Sequence, residues 1–377
     1  MVRDFQQLER LNYFQQYLLI GQHQFVMDAI QSIPTNDPVG IWLRMHLRQD
    51  INEEVEAELP VHYAEQWRGW RVYYQGDYSQ AAQHFIEAWR VMSDKFLSMG
   101  QADVALGLGK VYTRTGHWRA ARDWLLKALA IGRQQNRLFD IVQGYGALGE
   151  LLLRGGHPQA AYTCLSTAYH ILPPGSGQRP RQLNYLASAL LRCGETLRAE
   201  SLLMTSIHLA HDKGDSDSVW HALARLQFLC IDDNRSSKGH FNDVTDVLRD
   251  YVPQTDNNSI ALGFLRVGQA LLACRSGHQA EALAKIQVAK SFFETRFPFE
   301  HWWALQLEAF LMGNSSVTDA GCQKLLALNP VFSPASPNVL DMSWQRLHLS
   351  ETNGFMSLAS EKHDVESLQT ARYLFFI

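Results

Sequence analysis

The stretch GKVYTRTGHWRAARDWLLKA, from Gly109 to Ala128, decides the fold of this chain. It holds a glycine–histidine pair, two tryptophans and five cationic residues, which would suit either the mouth of an active site or one copy of a structural unit. Steps of 40 residues in either direction decide between the two, because glycine and alanine recur at matching positions. The stretch is therefore read as one copy of a repeat.

Five columns of this repeat hold over three consecutive copies. Two columns contain glycine, two contain alanine, and one contains a large apolar residue. A fourth copy turns at Gly194 and a further copy, after a gap, turns at Gly277. The columns are Gly69, Gly109 and Gly149; Gly76, Gly116 and Gly156; Ala81, Ala121 and Ala161; Phe85, Leu125 and Leu165; and Ala88, Ala128 and Ala168.

The spacing within each copy predicts a helical hairpin. Apolar residues recur at helical intervals on both sides of the second glycine, which suits a tight turn between antiparallel helices. The small residues mark the points where the two helices approach closely, and the large apolar residue fills the space beside them. Since one hairpin cannot bury its apolar face alone, the columns predict a stacked all-α array.

These columns resemble the tetratricopeptide repeat (TPR). YGALGELLLRGGHPQAAYTCLSTA (Tyr145–Ala168) carries an early Leu-Gly, a turn Gly, a small Ala, a large apolar residue and a closing Ala. The period is similar to the longer-helix variety found in bacterial regulators and in some scaffold proteins. The resemblance implies a right-handed α-solenoid of about seven or eight antiparallel hairpins, which binds proteins or peptides and rarely catalyses.

The domain organisation follows the repeat register. Residues 1–60 are predicted to form a degenerate helical repeat that caps the N-terminus, with a hairpin over Tyr13–Ile33 that turns at Gly21. Residues 61–330 form the TPR-like array. Residues 331–377 are predicted to contain a proline-containing linker and a helical tail.

Two segments fit the repeat less cleanly. Val219–Ile231 and Phe241–Tyr251 are predicted to form a hairpin with a longer loop. The chain ends in ARYLFFI (Ala371–Ile377), which either caps the open core of the last hairpin or docks onto a partner or a second copy. A homo-oligomer through this apolar end is therefore one alternative.

Composition limits the class of protein. The formal net charge of −4 and the pI of about 6.4 give no basic footprint for nucleic acid. No apolar run approaches 18 residues, and the polar start MVRDFQQLER does not resemble a signal peptide. The five cysteines stand apart and form no C-x-x-C pair, which is typical of reduced thiols. We expect a cytoplasmic protein that does not insert into membranes.

No motif in the sequence predicts catalysis or a cofactor. Gly144, Gly146 and Gly149 spell G-x-G-x-x-G, but that fingerprint needs a preceding strand, whereas Gly149 occupies a repeat column inside a predicted helix. There is no P-loop, G-x-S-x-G, H-E-x-x-H or kinase signature set. We therefore expect no catalytic residue, no cofactor and no enzymatic activity.

Histidines do not form a convincing metal site. Most of the glycine–histidine pairs place a polar residue at the start of a second helix, as at His117, His157 and His278. Equivalent turns of a solenoid lie roughly 10 Å apart, which is too far for one tetrahedral ion. His208 and His211, one helical turn apart, are a better pair, but two histidines at an exposed helix end are usually solvated. We expect no metal.

Arginine recurs at the last turn of the first helix of four copies, at Arg114, Arg154, Arg192 and Arg275. Tyr74 occupies this column in the earlier copy. Two interpretations are open. The arginines either form a ladder of cations that binds an acidic peptide, or they complement the helix C-terminus, which is the more usual role.

The partner-binding surface is implied by the TPR resemblance, since the first helices line the concave groove of such arrays. The lysine and asparagine columns of the carboxylate clamp are not reproduced, so a chaperone's acidic tail is not implied. Trp70 is either an anchor for a partner or a packing residue. The predicted partner-binding residues are Tyr63, Trp70, Tyr73, Tyr74, Lys110, Thr113, Arg114, Gln143, Glu150, Arg154, Asn184, Ser188 and Arg192.

Two functions fit these observations. The first is a non-catalytic adaptor or scaffold that binds a protein or peptide in the concave groove. The alternative is a regulatory receptor, in which a peptide or small ligand changes the superhelix and so controls a partner protein. Residues 1–12 are too short for a helix-turn-helix and the tail is not basic, so such a receptor would act through another polypeptide.

Overall fold

The computed structural model describes residues 2–47, 56–57, 59–94, 99–115, 117–154, 157–232, 260–275 and 278–294, together with positions 301, 304, 305 and 308. Helices and their connections make up these ranges, without a strand. The helices are α1 (Val2–Leu19), α2 (His23–Ser32), α3 (Pro38–His46), α4 (Val61–Gln75), α5 (Tyr78–Asp94), α6 (Gln101–Arg114), α7 (Trp118–Gln134), α8 (Leu138–Arg154), α9 (Pro158–Ile171), α10 (Arg179–Arg192), α11 (Thr196–His211), α12 (Ser216–Asp232), α13 (Ile260–Arg275) and α14 (Gln279–Phe293).

The chain forms two compact units, Met1–Gln182 and Leu183–Ile377, whose boundary falls inside α10. In the first unit, α4 packs on α5, α6 on α7 and α8 on α9, and α13 packs on α14 in the second. These pairs are the predicted hairpins. The predicted domain limits at residues 60 and 330 stay predictions, and residues 331–377 lie outside the described residues.

The first glycine column and the large apolar column meet at the closest approach of each hairpin. A Cβ on Gly69 would lie 2.7 Å from the ring of Phe85. A Cβ on Gly109 or Gly149 would clash with Leu125 or Leu165 in the same way. Because these three apolar side chains are completely buried, hydrogen is the only substituent that the facing helix accommodates.

The turn between α4 and α5 shows why its column contains glycine. Gly76 has a φ of +89°, and its N–H donates to the carbonyls of Val72 and Tyr73. A side chain would make this left-handed conformation costly. Gly194 has a φ of +82° at the equivalent turn after α10. Gly116, Gly156 and Gly277 lie outside the described residues.

The N-terminal helices make a contact that the repeat register did not predict. The hairpin of α1 and α2 turns at Gly21, as predicted, with a φ of +83°. However, α1 packs against α8, which a linear stack of nearest neighbours would not allow. An apolar cluster explains this contact, because buried residues of α1 and α3, such as Leu11 and Trp42, share a core with Phe139 and Val142 of α8.

A buried polar cluster reinforces the contact between α1 and α8. The Arg137 guanidinium lies 2.9 Å from Asp140 Oδ2, and its Nε donates to Gln15 Oε1 over 3.2 Å. Gln15 Nε2 in turn donates to Asp140 Oδ1 over 3.4 Å. Burial raises the pKa of Asp140 to about 6, although Arg137 acts in the opposite direction. A buried cluster of this kind specifies one docking geometry, because each member needs the others.

In the second unit, α12 (Ser216–Asp232) contains the predicted helix Val219–Ile231. The partner predicted for it, Phe241–Tyr251, lies outside the described residues. Within the described residues, α12 packs against α13, where a Cβ on Gly268 would clash with Gln227. Among the described helices, none is both long enough and apolar enough to cross a membrane.

The glycine column gives a direct test of the fold. Gly109→Ala should destabilise the first unit by about 1–3 kcal/mol, because the added methyl group overpacks the site of Leu125. Urea unfolding followed by circular dichroism measures the change. In the double variant Gly109→Ala/Leu125→Ala, the added methyl group should cost much less. If the losses of unfolding free energy in the two single variants simply add in the double variant, the assigned contact between Gly109 and Leu125 is contradicted.

Candidate functional site

The first helices of the three hairpins in the first unit, α4, α6 and α8, together form what we call the first-helix face. Asp103 joins α6 to α4. Its Oδ2 accepts hydrogen bonds from Trp70 Nε1 over 2.7 Å and from Gln66 Nε2 over 2.5 Å. Burial raises the pKa of Asp103, although both hydrogen bonds act in the opposite direction. Trp70 is therefore held by a polar bond as well as by its ring contacts.

Glu150 joins α8 to α6. Its Oε1 lies 3.1 Å from Arg114 Nη2 and 3.3 Å from Arg154 Nε. Burial by itself would raise the pKa of Glu150, but Arg114, Arg154 and Lys110 outweigh it and lower the pKa to about 2. Arg114 also hydrogen-bonds Tyr73. One carboxylate thus serves two arginines of the predicted column, both in the last turn of their helices.

Lys110 lies between these two junctions. Its ammonium group is 5.6 Å from the centre of the Trp70 ring, a distance that permits a cation–π interaction. It makes neither a hydrogen bond nor an ion pair with any described residue. Burial lowers the pKa of Lys110 to about 8, and the positive charge of Arg181 contributes to the shift. Glu150 and Asp103 oppose this change without cancelling it.

Four cations meet near the ends of α6 and α8, and we call Lys110, Arg114, Arg154 and Arg181 the basic cluster. Asp103 and Glu150 raise the pKa of Lys110, whereas Arg181 and Arg114 lower it. Within the described ranges, Lys110 is the member of the cluster that makes neither an ion pair nor a hydrogen bond. The cluster is therefore suited to an anionic group.

The structure separates the predicted partner-binding residues by exposure. Six of the thirteen are buried, six are half-buried, and Tyr74 is 46% exposed. The buried ones are Tyr63, Trp70, Thr113, Glu150, Asn184 and Ser188, and the half-buried ones are Tyr73, Lys110, Arg114, Gln143, Arg154 and Arg192. The residues that a partner can reach on the first unit are thus mostly cationic and aromatic.

Trp70 is a packing residue in this structure. Its ring makes an edge contact with Phe85 of its own hairpin, with centroids 5.1 Å apart, and belongs to the buried core there. Tyr74 stacks on Trp70, with the two ring centroids 5.9 Å apart. The exposed aromatic side chain at this end of the face is therefore Tyr74, which is supported by the buried tryptophan.

Other polar residues of the predicted set make contacts within each unit. In the first unit, Gln143 Nε2 donates to Gln178 Oε1 over 2.9 Å. In the second unit, Asn184 Nδ2 donates to the carbonyl of Ser218 over 2.8 Å, and Ser188 Oγ accepts from Arg225 Nε over 2.7 Å. Burial lowers the pKa of Arg225 to about 10. These side chains position α10 against α12.

Sequence reasoning did not single out Asp103 or Arg181. Asp103 follows Trp70 by 33 residues and Gln66 by 37, offsets that place all three on facing sides of successive first helices. Both offsets are shorter than the 40-residue period, by about two helical turns and one helical turn. A search of the sequence for polar residues at such offsets would have found this junction. Arg181 ends the stretch LPPGSGQRPR (Leu172–Arg181), whose prolines and glycines predict a loop between two copies of the repeat, whereas the structure begins α10 at Arg179.

The structure also places the glycines of the G-x-G-x-x-G motif and the histidines at the turns between helices. Gly144, Gly146 and Gly149 lie within α8, where a Cβ on each would meet Leu129, Gln182 and Leu165 respectively. All three are therefore packing glycines inside a helix, which is the position predicted for Gly149. His117, His157 and His278 precede second helices as N-cap residues. In the described ranges, no group of three His, Cys, Asp or Glu side chains could hold a metal ion.

No family model and no curated protein matches the sequence. Similar solved structures include the following two. A Rap protein complexed with Competence and Sporulation Factor has a TM-score of 0.56 and 13% sequence identity, over 87% of this chain and 100% of that chain. NprR in complex with its cognate peptide NprX has a TM-score of 0.57 and 13% identity, over 97% of each chain. At this identity the likeness concerns the fold, and it confirms the predicted TPR-like helical repeat.

The ion pairs of Glu150 predict a pH-dependent contribution to stability. The folded pKa of about 2 lies below the ordinary value of 4.5, so the contribution is complete above pH 4.5 and is lost as the pH falls towards 2. The difference corresponds to about 3 kcal/mol. Glu150→Gln should lower the unfolding free energy by about this amount at pH 7, and the two proteins should converge by about pH 2.

Urea unfolding from pH 7 down to pH 2 measures this difference. Glu87→Gln is the matched control, because Glu87 pairs with Arg90 on the exposed side of α5 and should change stability little. A constant gap between wild type and Glu150→Gln over the whole range would contradict the assignment.

Proposed function

We propose that this chain binds a peptide or protein segment across the first-helix face of its first unit and acts as an adaptor without catalysing a reaction. The observation that carries this proposal is the set of accessible side chains on α4, α6 and α8. Once the buried residues are assigned to helix contacts, Tyr74 and the basic cluster remain reachable. An exposed aromatic residue beside cations is typical of protein-binding surfaces.

Preorganisation supports the proposal. Tyr74 rests on Trp70, and Trp70 is fixed by Asp103 and Phe85. Arg114 is held by Glu150. A partner would meet side chains whose positions are already restricted, which lowers the entropic cost of binding.

The similar structures add support at the level of the fold. One is a Rap protein with Competence and Sporulation Factor, and the other is NprR with its cognate peptide NprX. A TPR-like fold that holds a peptide in NprR is a suitable framework for a peptide ligand here. This observation also favours the second candidate function, a peptide-responsive regulator that acts through a partner protein.

The remaining inferences follow from composition. We propose a cytoplasmic location because of the isolated cysteines, and no direct contact with nucleic acid because the chain carries a net charge of −4. The alternative role of the apolar C-terminal residues in a homo-oligomer stays a prediction, because Ala371–Ile377 lies outside the described residues.

An array of random octapeptides tests the binding function. The full chain should be retained by a subset of the peptides, and Tyr74→Ala should weaken that retention by about tenfold, as expected for loss of an aromatic contact residue. Tyr13→Ala is the matched control, because Tyr13 is exposed to a similar extent, 49%, but lies on α1. No retention of the wild type, or equal losses in both variants, would contradict the proposal.

A titration of the retained peptides separates the two candidate roles. A regulator should change conformation when the peptide binds, and small-angle scattering of the full chain would record a change in radius of gyration. An adaptor should bind with an unchanged scattering profile. The peptide-binding face is common to both roles.

A further inference from the structure

We propose that the ligand of the first-helix face is a peptide that presents a carboxylate, either from an acidic side chain or from its C-terminus, and that Lys110 binds this carboxylate. This inference rests on the proposed function and adds the chemical class of the ligand. It starts from a contrast within the basic cluster. Arg114 and Arg154 share the Glu150 carboxylate, whereas Lys110 makes neither an ion pair nor a hydrogen bond with any described residue.

The position of Lys110 is costly without a ligand. A half-buried ammonium group loses hydration, and here the nearby positive charges of Arg181 and Arg114 add repulsion. The lowered pKa reflects both effects. A carboxylate placed against Lys110 would recover this cost, because a desolvated ion pair with hydrogen bonds is stronger than an exposed one.

The surroundings of Lys110 are built to hold it in place. The Trp70 ring lies on one side of the ammonium group, and that ring is itself held by its hydrogen bond to Asp103. The same ring supports the exposed Tyr74. A cation and an accessible aromatic side chain thus both lie next to one fixed indole, which would accommodate a carboxylate beside an apolar or aromatic residue of the ligand.

The charge of the chain favours a peptide over a polyanion. The whole chain carries a net charge of −4, and a nucleic acid needs an extended basic surface. Among the described residues, Lys110 makes neither an ion pair nor a hydrogen bond. One carboxylate, from an Asp or Glu side chain or from a peptide C-terminus, matches this cation.

Three fluorescein-labelled pools of octapeptides test the inference by fluorescence anisotropy on the full chain. The first pool contains Glu among Ala, Leu, Phe and Ser and has an amidated C-terminus. The second replaces Glu by Gln and is also amidated. The third has the Gln composition with a free C-terminal carboxylate. We expect the first or the third pool to bind at least tenfold more tightly than the second.

Three variants locate the effect. Lys110→Met should remove the preference for a carboxylate, and Lys110→Arg should preserve it. Lys127→Met is the matched control, because Lys127 lies over Trp89 and Trp124 on the second helices, at 4.4 and 4.8 Å, and should keep the wild-type preference. Circular dichroism checks that all variants remain folded.

The pH dependence supplies a readout that is specific to Lys110. Since its pKa is about 8, the wild-type affinity for the preferred pool should fall by about tenfold between pH 7 and pH 9, as the ammonium group loses its proton. Arginine stays protonated over this range. Lys110→Arg should therefore bind with little change, which also excludes Asp103, Glu150 or Tyr73 as the titrating group.

The outcomes separate the two proposals. A preference for the first pool assigns a side-chain carboxylate, and a preference for the third assigns the peptide C-terminus; either supports the inference. Equal binding of all three pools, or a preference that survives Lys110→Met, overturns the inference and leaves the binding function standing. Failure of all three pools to bind overturns both.

Discussion

The contact between a glycine and a large apolar side chain, repeated in each hairpin, is the constraint on which the first unit depends. Because Gly69, Gly109 and Gly149 have no side chain, Phe85, Leu125 and Leu165 pack directly against the backbone of the facing helix. Close packing of the two helices leaves the opposite side of each first helix available for the next hairpin. The polar junctions on the first-helix face exist because this spacing is fixed.

Those junctions explain why only part of the predicted surface is available to a partner. Asp103 and Glu150 each accept bonds from a neighbouring first helix, so Trp70 and Arg114 contribute to the stacking of repeats. The same contacts hold the accessible residues in place. In the proposed binding mode, neighbouring side chains serve stability and recognition: Glu150 holds two arginines in ion pairs, and Lys110 binds the ligand.

The sequence predicted the features that repeat and missed those that occur once. Columns of glycine and alanine identified the hairpins, because helix contact restricts side-chain size at equivalent positions in every copy. The contact of α1 with α8 was missed, since Gln15, Arg137 and Asp140 have no counterpart at a fixed spacing. Likewise, the repeat register placed Trp70 on a first helix. It did not show that Trp70 packs against Phe85 and donates a hydrogen bond to Asp103.

Hydrogen exchange on the full chain, with and without a binding peptide, tests the central claim most directly. If the first-helix face is the binding surface, the peptide should slow exchange in α4, α6 and α8. It should leave the second helices α5, α7 and α9 close to their free rates, because local protection follows the site of contact. Protection confined to the second helices would contradict the account.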